Sequence, residues 1–332
     1  MPLPYFPVVR TKAGEVDALF NLSAGAKAKT FPIVRMTTTV PATFLVKMTR
    51  DLVGFPISLD GANNVSETGT TTAYTALFTG LGNGGVPVIP AVRNSDDPAY
   101  VAAAGALVGR YLPGIVVQCS LADLPNVGAW IAGQGWPRSD VDLIIDAGGV
   151  SELDPVSFSG YVASIINATL AVGHGYRRVA LHSWSAPRDH GALARGRQLV
   201  PRRDWMLWRA VAAQVGFDLG YSDSCHVHPS LDEIPGYVMA TATVSVRYTI
   251  DDYWIIRKGI RTSGPNGIQM EAQYRGHAQA LVAEAAFNAI PNCWGDSRIR
   301  FYAASTAGAG GRAQWAAVLL NRHVTHVCDR LP

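Results

Sequence analysis

The stretch Val141–Gly149, VDLIIDAGG, constrains the fold more than any other part of the chain. Leu143, Ile144 and Ile145 make an apolar run too short for a helix and β-branched enough for a strand covered on both faces. Asp146 stands where such a strand ends, and Gly148 and Gly149 let the backbone turn into the next segment. The same order of apolar strand, polar tip, loop and helix recurs on both sides of it.

Strands are predicted over residues 5–10 (YFPVVR), 32–36 (PIVRM), 55–60 (FPISLD), 86–92 (VPVIPAV), 115–120 (IVVQCS), 141–146, 179–183 (VALHS) and 217–223. Pro87 and Pro90 each remove a backbone donor from the fourth. Helices are predicted from Gly14-Glu15 to residue 28, over 38–52 and 73–81, and from Asp97-Pro98, a capping acid and first-turn proline, to 111. Another opens at Asp154-Pro155, and 202–215 carries Trp205, Trp208, Val211 and Val215 on one stripe. Residues 63–72 read as a polar loop. Eight strands with helices between most of them predict a (β/α)8 TIM-like barrel. A doubly wound open sheet is the competitor, but no Gly-x-Gly-x-x-Gly follows the first strand.

The barrel core is expected within residues 1–223, and 224–332 form a β-rich extension of the same α/β domain. In it, residues 242–249 and 253–258 read as a hairpin around Ile250-Asp251-Asp252. A helix over 269–287, a strand over 298–303, a glycine-rich link at 308–311 and a final helix or strand from Arg312 follow. Such a tail either completes the barrel or packs across one end of it.

With 48% hydrophobic and 16% charged residues, the 332-residue chain suits a large covered core. Its net charge of +3 is weakly basic, and the densest basic stretch, residues 188–209, is interrupted by Trp205, Met206, Leu207 and Trp208. That reads as the start of an amphipathic helix and argues against a nucleic-acid partner. The four cysteines, Cys119, Cys225, Cys293 and Cys328, form no Cys-x-x-Cys pair, so neither a disulfide framework nor a zinc knuckle is expected. No apolar run reaches the roughly 18 residues of a membrane span, and the N-terminus lacks the layout of a signal peptide. A reducing, cytoplasmic location is the expectation.

The opening YFPVVRTKAGEVDALFNLS, followed by PIVRM, resembles the start of the "beta protein" family. The likeness continues through VDLIIDAG, VSVRYTIDDYWIIRKG (residues 244–259), CWGDSRI (293–299) and Asn321-Arg322-His323, and so spans nearly the whole chain. Its most specific pieces are RYTIDDYW and the Trp294-Gly295-Asp296 turn. That family is found in bacteriophages, its namesake in a T-even phage, and in bacterial genomes. The resemblance implies a phage or anti-phage setting and no particular reaction. Arg35 departs from the acid that relatives often carry after the second strand, which removes an acidic role there.

In a barrel, ligands meet the carboxyl ends of the strands. The polar tips are Arg10, Lys12, Arg35, Asp60, Arg93, Gln118, Ser120, Asp146, His182, Ser183 and Asp223. Arginines converging with acids suit a phosphate or carboxylate, which arginine grips bidentately, and the acids can orient it or hold Mg²⁺. Asp60 and Asp146 are the candidates for acid–base or metal roles, with loop capping as the structural alternative. His182 is the candidate general base, or a structural hydrogen-bonding group beside Trp184. Arg247, Tyr248, Asp251, Asp252 and Trp254, with Trp294 and Asp296, are candidate binding residues through the family resemblance. His226-x-His228 and His323/His326 lack a third ligand by spacing, so no structural zinc is expected. Two function classes remain: an enzyme or binder of a small anionic, nucleotide-like ligand at the rim, and a non-catalytic interaction protein that engages a phage or host protein.

Overall fold

In a computed structural model, described over residues 4–170, 172–188, 190–231, 243–289, 293–306 and 308–332, eight parallel strands close into a barrel. In chain order β1 is Tyr5–Arg10, β2 Ile33–Arg35, β3 Ile57–Asp60, β4 Val88–Arg93, β5 Ile115–Ser120, β6 Val141–Gly149 and β7 Arg178–Trp184. The next strand, β8 (Gly196–Pro201), leaves the barrel, and β9 (Gly220–Asp223) closes it by pairing with both β7 and β1. Every barrel strand comes from a predicted apolar run, the proline-bearing β4 included.

Strand parity sorts the side chains. Phe6, Val8, Phe31, Ile33, Ile89, Ala91, Val116, Ile144 and Ala180 point inward and fill the barrel. Their outward neighbours, such as Val9, Val34, Leu59, Val117, Ile145 and Leu181, meet the surrounding helices in the largest core cluster. A fully buried Asp142 holds Arg177 and Arg178 at the amino end of the barrel, and Arg178 lies 4.4 Å from the Phe31 ring centroid.

The glycines after Asp146 have separate uses. Gly148 takes φ +74°, and a Cβ on Gly149 would stand 2.5 Å from the Trp184 indole. Strand β6 therefore runs past Asp146 to Gly149, with a register shift against β7.

The extension does not complete the barrel; it forms a second layer. Strands β10 (Ser245–Thr249) and β11 (Tyr253–Lys258) are the predicted hairpin, although Ala242 lies outside the described residues. Strand β8 pairs antiparallel with β11, giving the order β10-β11-β8. Helix Arg312–Arg330 joins the two layers. Trp315, Val318 and Leu319 enter the core of the extension, while Ala317, Leu320, Val324, Val327 and Cys328 enter that of the barrel. A helix buried on both sides loses the single apolar stripe, so the sequence left its type open. Lys29 Nζ donates to the Cys328 and Leu331 carbonyls, satisfying acceptors at the helix end.

Several local expectations are corrected. The predicted loop at 63–72 overlaps the helix Ala62–Thr68, whose buried Asn64 donates to the Thr37 and Thr38 carbonyls. The predicted strand at 298–303 is part of helix Trp294–Ala304, which buries Gly295, Asp296, Ile299 and Tyr302 at helical spacing. The alternation of Arg298, Ile299, Arg300 and Phe301 mimicked a strand over too short a window. The basic stretch contains β8, and its helix starts only at Arg203. The first predicted helix is two, Ala13–Phe20 and Ala24–Lys29, the second capped by Ser23.

Candidate functional site

The carboxyl ends of the barrel strands bring Asp60, Asp146 and His182 to one rim. Asp146 is in register with His182, and Asp60 with Arg35. Fully buried Asp60 sits between two guanidinium groups, 3.4 Å from Arg35 Nε and 3.3 Å from Arg93 Nη2. Gln118 bridges them at longer reach, donating to Asp60 at 3.5 Å and accepting from Arg93 at 3.2 Å. Burial alone would raise the Asp60 carboxyl; Arg93 and Arg35 outweigh it and hold it below the usual range. Burial lowers the Arg35 pKa, with Asp60 opposing. Burial acts likewise on Arg93, but Asp60, Asp96 and Asp146 outweigh it and raise its pKa.

Asp96 enters this group through the β4–helix turn, where its Oδ2 accepts from the Arg93 amide at 2.6 Å. Burial, and then the charge of Asp60, pushes its carboxyl up to about 6. Arg35, Arg93, Asp96 and Tyr100 line a cavity of about 820 Å³ together with Ala62, Asn63, Val65 and Ser66 and residues 69–72.

His182 faces into the barrel mouth beside the same charges. The Ser222 hydroxyl donates to the Phe6 carbonyl at 2.8 Å, so His182 Nδ1 must carry the hydrogen that meets Ser222 Oγ at 2.9 Å. Nε2 of the neutral ring then holds a lone pair. Burial lowers the His182 pKa against the pull of Asp146, which favours that neutral form. Asp146 itself accepts from the Gly148 amide at 2.8 Å, so it caps the turn as well as facing the rim.

The other predicted residues divide. Arg10 stays at the rim, paired with Glu15 at 2.9 Å, and Lys12 precedes helix Ala13–Phe20. Ser120 turns to Asp123, and Ser183 is buried on the strand parity opposite to His182. Asp223 is not a rim residue. Ser222 takes the inward place on β9, and Asp223 points out beneath helix Arg312–Arg330. There it accepts from Tyr5 and Tyr221 hydroxyls, the Cys225 amide and His323 Nε2.

Tyr248 and Asp296 lie in the same seam between barrel and extension. The Tyr248 hydroxyl donates to Asp296 Oδ1 at 2.9 Å, and Asp296 Oδ2 pairs with fully buried Arg322 at 2.9 Å. Trp294 packs at the junction of the two cores. Asp251 and Asp252 form ion pairs with Arg330 and Arg209.

Among the described residues, one group of three potential metal ligands lies within 4.8 Å, namely Asp223, Cys225 and His323. It joins His323 to residues that spacing could not associate with it. Its Asp223 oxygens are already met by the four hydrogen bonds named above.

A second recess of about 320 Å³ adjoins the rim, between Arg10 and the antiparallel sheet; Arg247 from β10 and His226 from the loop after β9 line it. The sequence offered His226 only as half of a metal pair and gave no sign of Trp315 or Arg312 nearby. A larger cavity of about 860 Å³ lies at the opposite, amino end of the barrel. Its guanidinium groups are held by a carboxylate at normal distances: Arg177 makes three bonds of 2.6–2.9 Å to Asp142 and the Pro113 carbonyl, and Arg178 also pairs with Asp142.

The sequence matches the family described as Beta protein over residues 5–329. No curated protein matches it. Among solved structures, 3-dehydroquinate dehydratase from Enterococcus faecalis aligns with a TM-score of 0.37 and 12% identity, over 67% of this chain and 89% of that one. The arginine decarboxylase of Paramecium bursaria Chlorella virus, with agmatine bound, gives 0.36 and 8%, over 77% and 79%. The barrel is established by its own strand order, and these likenesses add no chemistry to it.

Proposed function

The chain belongs to the Beta protein family, and we propose that it binds a small anionic, phosphate- or nucleotide-like ligand at the carboxyl rim of its barrel. One observation carries this reading. Two guanidinium groups, Arg35 and Arg93, share the single buried carboxylate of Asp60 beside the 820 Å³ cavity they line. Their contacts at 3.3–3.4 Å are longer than the usual charge-assisted range of about 2.7–2.9 Å, so both retain donors for an incoming anion. By contrast, Arg177 at the other end of the barrel makes three bonds at normal distances, two of them to the Asp142 carboxylate.

In this reading Arg35 and Arg93 grip the anion and Gln118 orients it. Asp60 offsets part of their charge until the anion binds. His182 Nε2 is the base available to a ligand hydroxyl, and Asp96, with its raised pKa, is the acid at the opposite edge. The described rim residues form no three-ligand metal group, so Mg²⁺ would arrive with the ligand's phosphates.

Isothermal titration with a panel of phosphate monoesters and nucleotides tests the proposal. A saturable ligand should emerge, and Arg93→Met should weaken it at least about tenfold, consistent with losing a charge-assisted pair. Arg93→Lys, which keeps the charge, should weaken it less. Binding indifferent to both substitutions in folded protein would refute the assignment.

A further inference from the structure

We propose that the recess between the β1 tip and the antiparallel sheet is a second anion site, in which Arg247 and His226 receive a phosphoryl or sulfuryl group. The site joins parts of the chain that no local pattern connects. Arg10 comes from the barrel rim and His226 from the turn after β9. Arg247 comes from β10, and Arg312 and Trp315 from the first turns of helix Arg312–Arg330. Its lining includes four arginines (Arg188, Arg247, Arg312 and Arg10, the last paired with Glu15 at 2.9 Å) and three histidines.

Arg247 makes the strongest case. Its side chain is buried, and its described partners are all uncharged: the Pro187 carbonyl at 2.9 Å, the His226 carbonyl, and His190 Nε2 at 3.0 Å. Arginine only donates, so His190 Nε2 must accept and that ring is neutral. A buried guanidinium without a carboxylate is costly unless an anion completes it. Burial depresses its pKa to about 10, against a weak pull from Asp204. Two buried nitrogens of this group, Arg247 Nε and His226 Nδ1, have no hydrogen-bond partner among the described residues.

The backbone is bent to present His226. Cys225 adopts φ +58°, a conformation disfavoured for a side chain with a Cβ, and its amide is tied to Asp223 Oδ1 at 2.9 Å. On the far wall Tyr274 and Trp315 stack at 5.1 Å, and Leu319 continues the apolar surface. About 320 Å³ is at the small end of ligand cavities, with room for a phosphoryl group and a sugar-sized or single-ring remainder.

This inference does not rest on the rim reading. Arg10 and Arg35 are register partners on β1 and β2, and each lines a different recess. The test is calorimetric titration of the full chain with inorganic phosphate, comparing wild type with Arg247→Met, Arg247→Lys, Arg312→Met and Arg35→Met. Arg35→Met should leave one phosphate site intact, and Arg247→Met should abolish that one. Arg247→Lys should weaken it about tenfold, through loss of the planar fork. Arg312 is not buried, so its substitution tests the site without a core change and should weaken phosphate several-fold. Near-ultraviolet circular dichroism establishes that each variant is folded. If Arg35→Met alone removes all phosphate binding, or Arg247→Met and Arg312→Met both leave it unchanged, the second site does not exist.

Discussion

Replacing Asp60 with asparagine should move stability and anion affinity in opposite directions. The side chain keeps its shape and still accepts from the Ala62 amide, 3.1 Å from Oδ1, but the charge shared by Arg35 and Arg93 is gone. At an effective dielectric near 20, each contact at 3.3–3.4 Å carries up to about 5 kcal/mol of attraction. Drying the carboxylate returns most of that, and both arginines are partly exposed, so the net loss should be about 2–3 kcal/mol. Affinity should respond the other way. Removing a negative charge about 6 Å from a bound phosphate, at a dielectric near 40, is worth about 1.4 kcal/mol, a factor of about ten. Asp60→Asn should therefore unfold at lower urea concentration, and phosphate should restore more stability to it than to wild type. Urea melts with and without phosphate, beside calorimetric titration, measure both terms. A variant that is less stable and also binds more weakly would show that Asp60 acts chiefly by positioning the arginines, and would refute the charge argument.

Three further outcomes follow from the same structure. Asp96 has its carboxyl raised to about 6 in the folded chain, so it favours folding below pH 4 and loses that contribution as pH rises through 6. For a partly exposed group this is about 1 kcal/mol, and Asp96→Asn should flatten urea stability between pH 4 and 6.5 by that amount. Asp223→Asn leaves a neutral amide facing the four donors Tyr5, Tyr221, the Cys225 amide and His323. It should cost about 3–5 kcal/mol in chemical denaturation, the scale for breaking a buried charged pair. Gly149→Ala should cost about 1–3 kcal/mol, because its methyl meets the Trp184 indole at 2.5 Å; tryptophan emission reports whether the ring moves.

The barrel was legible because its strands obey a strong local rule. A parallel strand covered on both faces must be apolar along its length and polar only where it emerges, and β5, β6 and β7 read that way at sight. Parity at the tips was not legible. Asp146 and Asp223 occupy the same place in their sequence segments, yet one faces the mouth and the other faces helix Arg312–Arg330. The difference is a single residue of register on β9, where Ser222 pairs with His182. Strand β8 escaped notice for another reason. It is a polar edge strand, intermediate or exposed throughout, with no apolar alternation to mark it. The place of His226 was not legible either, because a strand would put His226 and His228 on one face, whereas the chain turns sharply at Cys225.

The two proposed anion sites place different demands on the fold. The rim needs only the barrel, since Arg35, Asp60, Arg93, Gln118 and His182 all stand on its strands. The second recess needs the extension docked, because Arg247 and Trp315 reach Arg10 and His226 only across the seam between the layers. That seam is unusually polar for a buried interface. Asp223 with His323, Thr249 with His323, and Asp296 with Arg322 all lie within it. Apolar packing alone would hold the layers together and tolerate sliding; paired buried groups penalise any register but one, since a shift leaves charges unmet. The seam therefore fixes the register that brings Arg247 to His226. Weakening it should impair phosphate binding at the second recess before it affects the rim.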